Sequence, residues 1–408
     1  MSVASRRRRV APLRALCVVT ARVVAACLVL ALPSMSHAQQ LETVLTWNQV
    51  TTTALVVPGA NPATVFVSRP LAIVGVAMFD AANSFERRYH AYAAAVTPAP
   101  GASPDAAVAQ AAHDVLVVLL PSQRAAFDAA LAQSLAGLPD EAARDGAAVA
   151  AAVLELRGGD GWARPFPPYE LPSLPGYWRP TPPANANATF TNYPDVLGFI
   201  VPNGRQFLTE GPPALTSERY ARDFNETKAV GGAESVVRTA EQTQVARSRG
   251  FSGLDAARAF ALVAMAQRDA LLTSFTGKFL YGLWRPVTAI REAHTDGNDA
   301  TESDATWTPL PSTPPYPGHP GNMACLSTAQ ARVLERIVGR DDVPFEITWT
   351  GTTNPTVTRR YNGFRQLADE GGQSRIWGGI HFQFETLASF GSCTRLADYA
   401  ADNVLRAR

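Results

Sequence analysis

The stretch LDAARAFALVAMAQRDALLTSFTGKFLYGLWRP, Leu254–Pro286, decides how this chain is read. It is apolar, alanine-rich and helical in pattern, and strand-like alternation is rare in the rest of the sequence. Lys278 sits near its end, inside the apolar and aromatic run Phe275–Trp284, and shares the whole chain with only one other lysine, Lys228. An ammonium placed there is buried and needs a partner, and the run itself supplies none. With the helix continued to Arg285, the two cations lie seven residues apart and leave the same helix face. Pro286 then disturbs or ends that helix.

A second cationic block stands far downstream, Ser374-Arg375 followed by His381. The pair Gly378-Gly379 between them reads as a loop feeding a helix that begins near His381, whose free N–H groups favour an anion. Glu385 is four residues further on, the offset at which a carboxylate accepts from one imidazole nitrogen and fixes the tautomer of the other. Three fixed positive charges and an imidazole suit one task, the gripping of a tetrahedral oxyanion.

The pattern Lys278-x6-Arg285-Pro286 with Ser374-Arg375-x5-His381-x3-Glu385 resembles that of the vanadium-dependent haloperoxidases and the wider phosphatidic-acid-phosphatase type 2 superfamily, most closely their secreted bacterial haloperoxidase-like branch. The similarity extends to Trp284–Arg291, Thr295–Asn298, Trp307–Leu310 and Ser374–Phe382, and more loosely to Arg69–Asn83. It implies an all-α fold of two four-helix-bundle-like halves, here about 43–215 and about 216–408, with the site in the second. It also implies that Lys278, Arg285 and Arg375 bind the oxygens of vanadate, or of phosphate in the same place. His381 would coordinate vanadium in a peroxidase and attack phosphorus in a phosphatase. Glu385 stands where the family usually has Asp.

The middle motif departs from the family's Pro-Ser-Gly-His. Aligned without a gap on Thr313–Pro317, that motif falls on Pro320-Gly321-Asn322-Met323, followed by a helix over about 322–338. The serine is then Gly321 and the acid/base histidine is Met323, a thioether that moves no proton. A second register, with one residue deleted, uses Pro317-Gly318-His319 and keeps His319 as acid/base, Pro320 opening the helix. In the first register the backbone amides of Gly321 and Asn322 still serve an anion, while general acid–base help worth about 10²–10⁴-fold is lost. Three activities follow from the resemblance: oxidation of halide by hydrogen peroxide, hydrolysis of a phosphate monoester through a phosphohistidine, or oxyanion binding without turnover.

The remaining features bound the class. The chain has 408 residues, 47% of them hydrophobic, ample for a large core. Its formal charge of +1 and pI near 7.7 argue against a nucleic-acid partner. Arg6–Arg9 and Arg14, an apolar run from about Ala21 to Leu32, and Ser36-His37-Ala38 read as an export signal cleaved near Ala38, by the general or twin-arginine route. The mature protein, 39–408, is then secreted or periplasmic and has no membrane anchor. Its two cysteines, Cys325 and Cys393, either pair across the site or stay as buried thiols.

Overall fold

A computed structural model describes residues 39–57, 59–60, 64–100, 102–138, 143–230, 240–349 and 357–408. The export signal expected over 1–38 lies outside them. The described chain is built almost wholly of helices: α1 (39–55), α2 (Ser68–Glu86), α3 (Pro104–Leu119), α4 (Arg124–Ser134), α5 (Arg144–Gly158), α6 (Glu218–Val230), α7 (Ala240–Ser248) and α8 (Gly253–Tyr281). A short α9 (Pro286–Arg291), α10 (Asn322–Val338), α11 (Phe364–Trp377) and α12 (Gln383–Asn403) complete the set. The all-α expectation holds.

Local chemistry sets many of these boundaries. Ser103 caps α3 by accepting from the Ala106 amide, with Pro104 in the first turn, and Ser252 caps α8 on the Asp255 amide. Gly282, at φ 62°, ends α8 in the left-handed conformation that glycine adopts without strain. α8 is buried on nearly all sides from Gly253 to Lys278, as expected of an all-apolar helix at the centre of a protein. It packs on α2 along one side and on α10 and α12 along another. α2 also packs on α3 and α5, and α10 on α11 and α12. Among the described residues one stretch, Val65–Glu86, is long and apolar enough to cross a membrane, and 72% of its most apolar window is buried inside the fold.

One sequence expectation is corrected and one open alternative is decided. The sequence pattern over Arg359–Glu370 reads as helical, but Phe345–Trp349 (β1) and Val357–Tyr361 (β2) pair as an antiparallel ladder, with Phe345 opposite Tyr361. α11 begins only at Phe364 and runs on to Trp377, taking Arg375 onto a helix. The ladder buries Phe345, Ile347 and Tyr361 on one side, so tertiary packing overrides local preference. Cys325 of α10 and Cys393 of α12 form a disulfide, with Cα atoms 5.3 Å apart, rather than two separate thiols.

Candidate active site

Lys278 and Arg285 meet by a different route from the shared helix face. α8 stops at Tyr281, the chain turns through Gly282, and Arg285 caps the N-terminus of α9. Both side chains are fully buried. The Lys278 ammonium donates to the carbonyls of Pro317 (3.0 Å), Gly318 (2.6 Å) and Pro320, so the loop before α10 supplies the partners its own helix lacks. Burial, with Arg285 nearby, pushes its pKa well below the ordinary value, against the opposing pull of Glu385. Arg285 donates from Nε to the Tyr316 carbonyl (2.8 Å) and from Nη1 to that of Ile380 (2.9 Å). Its Nη2 is buried with no acceptor.

His381 lies in the turn between α11 and α12, after Gly379 at φ 76°. Its Nδ1 is hydrogen-bonded to Glu385 Oε2 in the first turn of α12, and its Nε2 is 3.3 Å from Arg285 Nη1. A guanidinium only donates, so Nε2 carries the lone pair and Nδ1 carries the proton. Burial first, then Arg285, Lys278, Arg375 and His319, push the imidazole well below its usual pKa and keep it neutral. Burial raises the Glu385 carboxyl to about 8, against Lys278 and Arg285, and its Oε1 has no donor. The pair therefore shares one proton in alkali and takes up a second below about pH 8. Arg375, partly buried on α11, is near enough to depress the pKa values of both His381 and Tyr316.

The middle segment is packed against the same groups. α10 starts at Asn322 with Gly321 as its N-cap, so Pro320 does not open the helix, and Met323 lies in the first turn, partly exposed. The Gly321 amide is already engaged by Ser389 Oγ (2.9 Å) and the Glu385 carbonyl (3.3 Å) and is not free for an anion. Asn322 Oδ1 accepts from Ser274, whereas its Nδ2 has no acceptor and lies near the Tyr316 phenol. Gly318 must stay small, because a Cβ there meets Glu385 Oε1 at 2.6 Å and the Trp284 carbonyl at 3.0 Å.

His319 is buried with its ring 5.3 Å from that of Tyr281 and 6.1 Å from that of Phe384. Its Nε2 donates to the Glu210 carbonyl (2.7 Å), leaving Nδ1 as an unpartnered base. Burial is the main cause that brings its pKa down to about 4. A cleft of about 380 Å³, walled by Thr209, Glu210, Arg219, Phe384 and Arg395 among others, opens beside it.

The structure thus brings Lys278, Arg285, His319, Gly321, Asn322, Arg375, His381 and Glu385 to one place. Three further residues were missed. Tyr316 presents its ring to Arg285 (5.0 Å) and Lys278 (5.4 Å), Ser274 orients Asn322, and Ser389 bridges Gly321 to α12. Helical spacing offered a signal for two of them: Ser274 is one turn before Lys278, and His381, Glu385 and Ser389 recur every fourth residue.

Comparison with known proteins bears on the fold. The family model of the VCPO second helical-bundle domain matches residues 258–408. Among solved structures, a bacterial vanadium-dependent iodoperoxidase superposes with a TM-score of 0.74 and 20% identity, over 90% of this chain and 96% of that one. The holo form of a bacterial vanadium-dependent chloroperoxidase superposes with a TM-score of 0.67 and 15% identity, covering 86% of this chain and 93% of its own. The apo form of such a chloroperoxidase gives 0.66 and 16%, with 86% and 96% coverage. No curated protein matches the chain. The chain has the fold of the bacterial vanadium haloperoxidases, and its residues 258–408 match the model of the VCPO second helical-bundle domain.

Proposed function

We propose that this chain is an exported, vanadate-dependent haloperoxidase-like enzyme that uses hydrogen peroxide to oxidise a halide. The observation that carries the reading is the Arg285–His381–Glu385 alignment: a neutral imidazole, its proton held on Nδ1 by the Glu385 carboxyl group, offers the Nε2 lone pair beside an unsatisfied guanidinium nitrogen. A metal-centred oxyanion needs one basic nitrogen and several donors for its oxygens, and this set provides both. The residues fit vanadate: His381 Nε2 as ligand, with Arg285 Nη2, Asn322 Nδ2 and Arg375 toward the oxygens. Vanadate, when bound, supplies Lewis acidity toward peroxide.

The protein's own groups do the rest. Arg285 fixes the lone pair and Glu385 holds the proton, and the burial of His381 keeps water from the imidazole. Lys278 supplies positive field and pins the 317–320 carbonyls instead of reaching an oxygen itself. Overall, halide, hydrogen peroxide and one proton give hypohalous acid and water. Met323 neither takes up nor delivers that proton, so it must come from solvent, with the unpartnered Nδ1 of His319 as the histidine nitrogen left to relay it, and turnover is slow.

The same cradle suits a phosphate monoester, with the neutral Nε2 of His381 as nucleophile and a phosphohistidine as the covalent product. The test is vanadate binding by calorimetry beside a bromide-and-peroxide assay, on the wild type and Met323→His. Binding, with bromination rising about 10²-fold or more in the variant, is expected. Vanadate-inhibited ester hydrolysis without bromination establishes the phosphatase reading, and binding without either activity leaves an oxyanion-binding protein.

A further inference from the structure

Almost three turns up α8 from Lys278, about 15 Å along its axis, lies a second buried cation that the oxyanion site does not use. Arg268 is 0% exposed, and none of its Nε, Nη1 and Nη2 atoms has a hydrogen-bond acceptor. A guanidinium does not shed its proton in a protein, so burial cannot be relieved by neutralisation as it can for a lysine. Its Cζ lies 4.6 Å from the ring of Tyr193 and 5.2 Å from that of Trp162. These contacts attract the charge but accept none of its five N–H groups.

The neighbouring charges are already committed. Arg69 and Arg157 share Asp160, at 2.8 and 3.0 Å, and Arg157 also donates to the carbonyls of Leu197 and Gly198. Asp269 accepts three backbone amides, from Phe199, Ile200 and Val201. Arg69 lies close enough to Arg268 for each to feel the other's charge, and both stand over Trp162. Asp80, also buried, accepts the amides of Tyr92, Ala93 and Ala94, so every carboxylate of this network is spent on Arg69, Arg157 or backbone amides and none serves Arg268. The Tyr193 hydroxyl is a further buried donor without a partner, on the ring nearest Arg268.

We infer that Arg268, Tyr193 and Trp162 form a structural binding site for a single small monovalent anion of the chloride or bromide type, separate from the oxyanion site. One negative charge answers the unpartnered guanidinium, and a monatomic ion accepts from several N–H and O–H donors at once with no orientation of its own. The ion locks α8 to the segment around Tyr193 and to α2 through Arg69.

The test uses the wild-type protein and bromide as the probe. Crystals soaked in bromide are expected to show an anomalous peak beside the Arg268 guanidinium. In solution, the thermal midpoint is expected to rise and saturate with bromide at constant ionic strength against acetate, and the rise to vanish in Arg268→Met. If Arg268→Met does not fold, the wild-type crystal decides alone. An absence of anomalous density at Arg268 overturns the inference and leaves the guanidinium served by water.

Discussion

His319 offers the sharpest test of how the site is built, because its environment makes a signed and sizeable claim. The side chain is 1% exposed, its Nε2–H is spent on the Glu210 carbonyl, and its pKa stands at about 4 against an ordinary 6.5. A histidine depressed in the folded state stabilises the fold above 6.5 and withdraws that stability as pH falls toward 4. The gap corresponds to roughly 3 kcal/mol. Gln in its place keeps an amide N–H for the Glu210 carbonyl but cannot titrate. Urea unfolding of the wild type and His319→Gln at steps between pH 7 and 4 should therefore show the wild type losing roughly 3 kcal/mol more than the variant. Parallel curves would refute both the buried neutral imidazole and its use as a base.

Other consequences are equally concrete. Gly318→Ala places a methyl against Glu385 Oε1 and the Trp284 carbonyl and should cost about 1–3 kcal/mol, with weaker vanadate binding by calorimetry. Gly321→Ala meets nothing closer than 3.6 Å and should be tolerated in the same assays. Glu385, raised from 4.5 to about 8, contributes stability that is complete below 4.5 and lost as pH rises through 8; Glu385→Gln should flatten that fall between pH 4.5 and 8 in pH-dependent unfolding. Cutting the bond between Cys325 and Cys393 by a double serine substitution releases a 68-residue loop and should cost about 4 kcal/mol in denaturant unfolding under oxidising conditions.

The sequence was most legible where one residue's chemistry was decisive. Lys278 was expected to be buried because its apolar run left it no other place, and the helix start at Asn322 followed from the gap-free alignment of Thr313–Pro317. The offset of Glu385 from His381 gave their hydrogen bond directly. What escaped depended on contacts between distant segments. Gly282 turns the chain before Arg285, so counting helical turns from Lys278 gave the right neighbours by the wrong path. The loop carbonyls that satisfy Lys278 carry no side-chain signature, because any residue offers a carbonyl. Tyr361 and Phe345 form a strand pair only because a buried surface waits for them, and the disulfide required a spacing that no one-dimensional reading supplies. Arg268 looked like one more arginine on a helix.

The span matched by the second-bundle family begins at Arg258, inside α8 and well past its Ser252 cap. On the opposite side of that rod, Gly75 of α2 allows a backbone approach so tight that a Cβ would sit 3.2 Å from Ala261 Cα. Inheritance and mechanics therefore draw different borders. Lys278 is mounted on a helix whose other half is packed against α2, so residues 258–408 taken alone should lose part of what holds that helix in place. Changes at the α2–α8 seam should reach Lys278 and the carbonyls it holds by rigid leverage.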